Sequence, residues 1–320
     1  MRKLIGFLLL FTACGTQQNT LVPAEQPILR RILQIRELRT AAAVSWVGLD
    51  APEHDTPLLY YTDSVCYAVN PSPQFRSEFA GTLAYCDHGI EIYKTTLPDS
   101  HPFHMETQMD FSDTTAFNGK MPYLFCSSPE LTVQTITDVV SDSLWLPMVL
   151  HEYVHGFQFR QPGFAAAFAE EDISIPEAEL ARLHKRNDWF NRAIKAENEA
   201  LLTALEATDN TGRDSCIRNF ITLRTERKQR MTAELGDSLM RAEEVFELME
   251  GGARLVEAQA GFSLGVYSEA DKWLYDTDES GYFFATGYNL MRLLDKCGID
   301  KSRLYTERIL PLETYLTIKN

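Results

Sequence analysis

The spacing of apolar residues along this chain changes twice. Between residues 25 and 47, Ile28, Leu29, Ile32, Ile35 and Leu38 recur every three or four positions, the spacing of one buried helix face. From 58 to 128 the pattern breaks into short runs: LLYYT, SVCYAV, GIEIYKT, HMETQMDF and MPYLFCS. Tyr, Val, Ile, Phe and Thr dominate these runs, and Asp, Asn, Pro, Gly and Ser separate them. They predict a small mixed or antiparallel sheet. After Pro129 helical spacing returns and continues almost to the end. SLWLPMVLHEYVHGFQFRQPG predicts a helix running to about Arg160 and stopped by Pro162-Gly163. Pro147 suits its first turn, or else kinks a longer helix. PEAELARLHKRNDWFNRAIKAENEALLTALEA predicts one long helix opening near Pro176. RDSCIRNFITLRTERKQRMTAEL, LMRAEEVFELMEGGARLVEAQAGF and GYFFATGYNLMRLLDKCG predict three more. The fold class expected is α+β, with a small N-terminal sheet packed on the helix through 151 and a mostly helical C-terminal part.

The first residues, MRKLIGFLLLFTACGTQQNT, have a basic start, a short apolar run from Leu4 to Phe11, small residues, then Cys14. The run is too short to span a bilayer as a mature helix and reads as a secretory signal. Its end resembles a bacterial lipobox, with Phe11 where leucine is more usual. That resemblance implies a signal peptide over 1–13 and lipidation of Cys14. It also implies a polar tether over 14–24 and attachment to the cell envelope by the lipid alone. No later stretch is apolar for long enough to span a membrane.

A net charge of −15 excludes a nucleic-acid partner, because phosphate contacts require a basic surface. The acidity gathers in the helices after 168, where a solvated face accounts for it. His184, within RLHKRND, reads as solvated too. Of the six cysteines, five follow Cys14, and buried thiols are the expected state for most of them. No P-loop or dinucleotide glycine pattern is present, and no serine nucleophile is expected.

The candidate chemistry lies in HEYVHGFQ, residues 151–158. On a helix, His151 and His155 stand one turn apart on one face. Two imidazoles so placed suit zinc, which accepts such nitrogens at about 2.0–2.1 Å. Glu152 is rotated by about 100° from His151. It flanks a metal there without binding it and can act as general base towards an activated water. The surrounding LWLPMVLHEYVHGF is strongly apolar, so the histidines should be partly buried and in need of partners. Gln158 and Gln161 stand where a metzincin would carry glycine and its third histidine. The third ligand must therefore come from later in the chain. Glu250 is the candidate, because Gly251, Gly252 and Ala253 let a second helix come close. Each interior glycine costs that helix about 1 kcal/mol. Glu247, Arg254 and Glu257 share nearly the same face, and Glu257 is the fallback ligand or an orienting group.

HEYVHGFQ followed by EGGARLVE resembles the gluzincin arrangement, H-E-x-x-H then E-G-x-A-x-x-x-E. It is also similar to bacterial metallopeptidase-like families with H-E-Y-x-H-x-x-Q and a long helical insert. The likeness covers residues from about 58 to 300 in order of elements. It implies a zincin-like fold, zinc held by His151, His155 and Glu250, and Glu152 as base. A strand beside the helix would hold a peptide backbone by β-addition. Related aminopeptidases place a tyrosine three residues before a glycine of a later helix. Phe284 holds that place before Gly287 here, and the flanking Tyr282 and Tyr288 are the candidate oxyanion donors. The implied organisation is an α/β part over 25–163 and a helical part over 164–320 that brings the third ligand. The implied activity is hydrolysis of a peptide or protein substrate. The rival is a scaffold of the same shape that binds peptide or a partner protein with little turnover.

Overall fold

The computed structural model describes residues 18–78, 81–97, 104–108, 122–171, 175–278, 281–305 and 308–317. The expected signal peptide and Cys14 lie outside them. No helix among the described residues is long and apolar enough to cross a membrane.

The chain is α+β. Its sheet has six strands of four to seven residues and a two-residue seventh. They are β1 (Gln18–Asn19), β2 (Leu58–Tyr61), β3 (Val65–Val69), β4 (Thr82–Asp87), β5 (Ile90–Thr96), β6 (Met105–Gln108) and β7 (Tyr123–Ser127). Their order is β1-β4-β5-β3-β2-β7-β6. Only β2 and β7 run parallel, with Leu59 opposite Phe125, and the other pairs are antiparallel. β4, TLAYCD, was not foreseen, because it alternates too weakly to stand apart from the turn before β5. The sheet is covered on both faces. Leu58, Tyr60, Leu124 and Cys126 enter the main core, while Leu59, Tyr61, Tyr123 and Phe125 form a second cluster behind it. Period-two alternation along β2 and β7 thus divides two apolar faces rather than an apolar from a polar one. Cys66 and Cys126 are buried thiols, and burial pushes the Cys66 thiol up to about 12.

The helices are α1 (Gln26–Ala42), α2 (Pro73–Glu78), α3 (Pro129–Thr132), α4 (Asp142–Phe159), α5 (Pro162–Glu170), α6 (Glu177–Arg186), α7 (Asp188–Glu206), α8 (Asn210–Leu235), α9 (Asp237–Ser263), α10 (Tyr282–Lys296) and α11 (Leu312–Thr317). α4 begins a turn before the start that Pro147 suggested. Ser141 caps it, accepting from the Leu144 N–H at 3.3 Å, and Pro147 lies inside the helix. Apolar all round, α4 is the central element between the sheet, α1 and α9. Arg31 of α1 pins its first turn through Asp142 at 3.0 Å. The long helix expected from Pro176 is two. Asn187 leaves helical geometry (φ −111°, ψ 101°) and its side chain accepts from the Phe190 N–H, capping α7.

The acidic helices do not carry their charge only on a solvated face. Glu197, Glu243 and Glu247 are buried, against Arg224 and Arg227 of α8. Arg227 donates to both carboxylate oxygens of Glu243, at 2.7 and 2.9 Å, and to Glu197. Arg224 pairs with Glu247 and with Glu313 of α11. His184 is likewise buried, its ring 5.0 Å from that of Tyr282 and its Nε2 bonded to the Asn191 amide at 3.0 Å. The repeat of charges along these helices hides that arginines on a neighbouring helix neutralise them.

Removing the Arg227 guanidinium takes from Glu243 its described ion pair and leaves Glu197 with Arg224 alone, at 3.4 Å. Arg227→Met should lower stability by about 3–5 kcal/mol in urea unfolding. Arg182→Met, which breaks a solvent-exposed pair with Glu179, should hardly move the midpoint. A loss below about 1 kcal/mol in Arg227→Met would show that the network is not what holds α7, α8 and α9 together.

Candidate metal centre

α4 and α9 lie against each other, and their facing turns build the site. His151 and His155 point from α4 to the Glu250 carboxylate of α9. Glu250 Oε2 is 3.1 Å from His151 Nε2, and Oε1 is 3.5 Å from His155 Nε2. The three ligand atoms lie within 4.8 Å of one another, so the group could hold a metal ion. Donors about 2.0–2.1 Å from one tetrahedral ion stand roughly 3.3 Å apart, and the two separations, one from each Glu250 oxygen, are close to that value. Two imidazoles and one carboxylate also make a three-ligand set that leaves a position open. His155 is buried, whereas the His151 side chain keeps 14% of its surface exposed, so the cluster is not sealed.

Glu257, two turns on, is not the third member of the group. Its Oε2 lies 2.9 Å from Nδ1 of His151, on the far side of the ring from Glu250, where it orients the imidazole. Tyr267 reaches its other oxygen at 3.4 Å. Burial disfavours charge on His151, but Glu250 and Glu257 outweigh it and the imidazole is pushed up to about 10. His155 is raised as well, again against burial and through Glu250. Burial alone would raise the Glu250 carboxyl, yet the two histidines hold it well below the usual range.

The glycines after Glu250 serve other contacts than the one expected. A Cβ on Gly251 would lie 2.4 Å from the backbone of Gly287, so this residue lets α10 touch α9. A Cβ on Gly252 would lie 2.2 Å from the Tyr305 hydroxyl and 3.4 Å from Gln158 Nε2. The space beside Glu250 admits a tyrosine from the C-terminal segment.

Glu152 is half-buried beside the pair. Its Oε2 accepts the Thr107 N–H at 2.8 Å, and the Thr107 hydroxyl donates to its main-chain oxygen at 2.6 Å. The base candidate is therefore tied to β6, the last strand of the sheet.

The tyrosines expected as oxyanion donors are placed otherwise. Tyr282 is fully buried and donates to Glu243 at 2.7 Å, inside the arginine–glutamate network, so its hydroxyl is already committed. Tyr288 lies in the main core, with the Arg292 guanidinium 5.3 Å from its ring centre. The aromatic ring near the cluster is Phe284, 6.3 Å from His151, with the Arg254 guanidinium 4.5 Å from its own centre.

Sequence reasoning missed Thr107, Gln158, Tyr305 and Glu177. Glu177 opens α6, which packs on α9. Burial and the Glu250 charge push its carboxyl up to about 7, and His155, His151 and Glu152 act on it too. No hydrogen bond or ion pair joins it to another described residue. Only Gln158 left a trace in the pattern, three residues after His155. The stretch Gly261-Phe262-Ser263-Leu264-Gly265 does match G-x-S-x-G, against the expectation that no serine nucleophile would be suggested. It is the end of a helix rather than a strand-to-helix turn, and Ser263 donates to Ala260 O at 2.8 Å, so it makes no nucleophile elbow.

Titration with a divalent transition metal should give about one ion per chain. Glu250→Ala should weaken binding far more than Glu257→Ala, which should cost about 10–100-fold. His151 holds a proton at pH 7–8 in the metal-free chain and must lose it to become a ligand. Metal uptake should therefore release protons, and affinity should rise with pH towards about 10. Calorimetry in buffers of different ionisation enthalpy reads both effects. Equal losses in the two glutamate variants would refute the assignment.

No protein family, no characterised protein and no solved structure matches this chain, so its functional reading stands on this geometry.

Proposed function

We propose that this chain is a zinc-dependent peptidase of gluzincin type on a zincin-like scaffold. The observation that carries the reading is the meeting of His151 and His155 with the Glu250 carboxylate, with Glu152 on the same turn of α4. Two imidazoles and a carboxylate suit zinc. Zinc, when bound, polarises a peptide carbonyl and lowers the pKa of water. Glu152 takes the proton of the attacking water and hands it to the leaving amine.

β6 supports the same reading. Ser127 N donates to His104 O at 2.6 Å, so alternation turns the main-chain groups of Met105 and Thr107 away from β7. That outer edge suits an extended peptide. Glu152 caps one of its N–H groups in the resting chain, and an incoming peptide would displace it and free the base. The same bond favours the second reading, a scaffold that binds peptide or a partner protein with little turnover, if Glu152 stays on Thr107.

Glu152→Gln separates the two. In a peptide-library digest with zinc, the wild-type chain should cleave and the variant should lose about 10²–10⁴-fold in rate while keeping its zinc. Undiminished cleavage by the variant would remove Glu152 as base. A zinc-loaded wild type that binds peptides but cleaves none would favour the scaffold.

We infer further that the mature chain is held at the cell envelope by a lipid on Cys14. The supporting pattern is in residues 1–14, outside the described part. Mass spectrometry of the N-terminal peptide from the native host should find acylated Cys14 as the first residue. An unmodified Cys14, or a retained leader, would overturn this.

A further inference from the structure

His155 stands at the end of a hydrogen-bonded chain whose direction is fixed at its far end. The Gln158 amide lies between His155 Nδ1, 3.0 Å from its Oε1, and two acceptors on the other side. Gln158 Nε2 is 2.9 Å from the Met249 carbonyl and 3.0 Å from the Tyr305 hydroxyl. That hydroxyl lies 3.1 Å from the Leu248 carbonyl. A backbone carbonyl can only accept. Tyr305 must therefore donate to Leu248, which leaves its oxygen to accept from Gln158. Met249 also demands the NH2 side of the amide. Gln158 then has only its carbonyl oxygen to offer His155, so Nδ1 must carry a hydrogen. The lone pair of the neutral ring is left on Nε2, which faces Glu250.

The setting is rigid. Gln158 is wholly buried, and Tyr305 is 2% exposed with its ring stacked on Trp46 at 5.3 Å. Gly252 leaves room for the hydroxyl, because any side chain there would strike it. His151 is oriented differently, by the carboxylate of Glu257. One histidine is thus aimed by a charge and the other by a neutral relay that starts at two carbonyls of α9.

We propose that Gln158 and Tyr305 are positioning residues that hold His155 in the Nδ1–H form and aim its Nε2 at the metal position, with Tyr305 acting through Gln158. The effect on metal binding rests on the zinc reading above, whereas the state of the His155 ring does not. The relay also makes the C-terminal segment part of the metal site, although Tyr305 touches neither ligand nor substrate.

The test uses the mature chain with Gln158→Met, Tyr305→Phe and the double variant. Zinc affinity, from chelator competition, should fall about 10–100-fold in Gln158→Met and less in Tyr305→Phe. The double variant should be no worse than Gln158→Met alone, because the tyrosine works through the glutamine. Two merely structural losses would instead multiply. The visible spectrum of the cobalt-loaded chain should change in both single variants. In the metal-free chain, NMR of nitrogen-15-labelled histidine should show a slowly exchanging His155 Nδ1 proton that Gln158→Met loses. That measurement decides the relay even if zinc does not bind, so a failed zinc reading and a failed relay are told apart. Tyr305→Phe removes a single oxygen and keeps the test open should Gln158→Met not fold. Affinity within twofold of wild type in folded variants, or a His155 ring with its proton on Nε2 alone, would overturn the proposal.

Discussion

The bridge from the Glu250 carboxylate to two imidazoles is the contact on which the rest of this molecule depends. Burying two histidines and a glutamate costs solvation that only mutual pairing or a metal can offset. The pairing works only if two helices are held with little freedom. α4 supplies one side, and its apolar surface is gripped by the sheet, α1 and α9. α9 supplies the other and is buried almost continuously from Ala242 to Ala258. Its backbone meets α10 directly at Gly251 and Gly287, which fixes its height and rotation.

α9 also explains why so much acid is tolerated inside. Glu243, Glu247, Glu250 and Glu257 recur at intervals of three, four and seven, along one side of a single helix. The first two meet arginines of α8, and the last two meet histidines of α4. The arginines stay charged and lock their carboxylates. The histidines, with Glu250, could hold a metal ion. One helix therefore carries a permanent ion-pair network and, from the next turn on, the group that could hold a metal ion.

Access to that site is uneven. His155 is buried, with Gln158 on its Nδ1, while His151 and Glu152 keep some exposure. Thr107 of β6 stands beside Glu152, and Phe284 beside His151. α6 brings the Glu177 carboxylate within electrostatic reach of the two histidines.

From the sequence alone, the local elements and the pairing of chemistry were legible. The spacing of His151 and His155 determined that their rings share a helix face, because helical geometry is local. The α+β order, the stop at Pro162-Gly163 and most helix spans followed for the same reason. That Glu250 and Glu257 both face the histidines was readable, since seven residues put them on one side. The purpose of the small residues after Glu250 was not, because Gly251 answers to α10 and Gly252 to Tyr305, far away in sequence. The burial of Glu197, Glu243 and His184 was hidden likewise, since partners on other helices decide it, whereas the break at Asn187 is a local cap that the apolar repeat does not display. Tyr282 looked available because sequence shows a hydroxyl but not the carboxylate that already holds it. Thr107, Gln158 and Tyr305 acquire their roles only once β6, α4 and the C-terminal segment meet. A hydrogen bond between distant residues has no period for a sequence pattern to display.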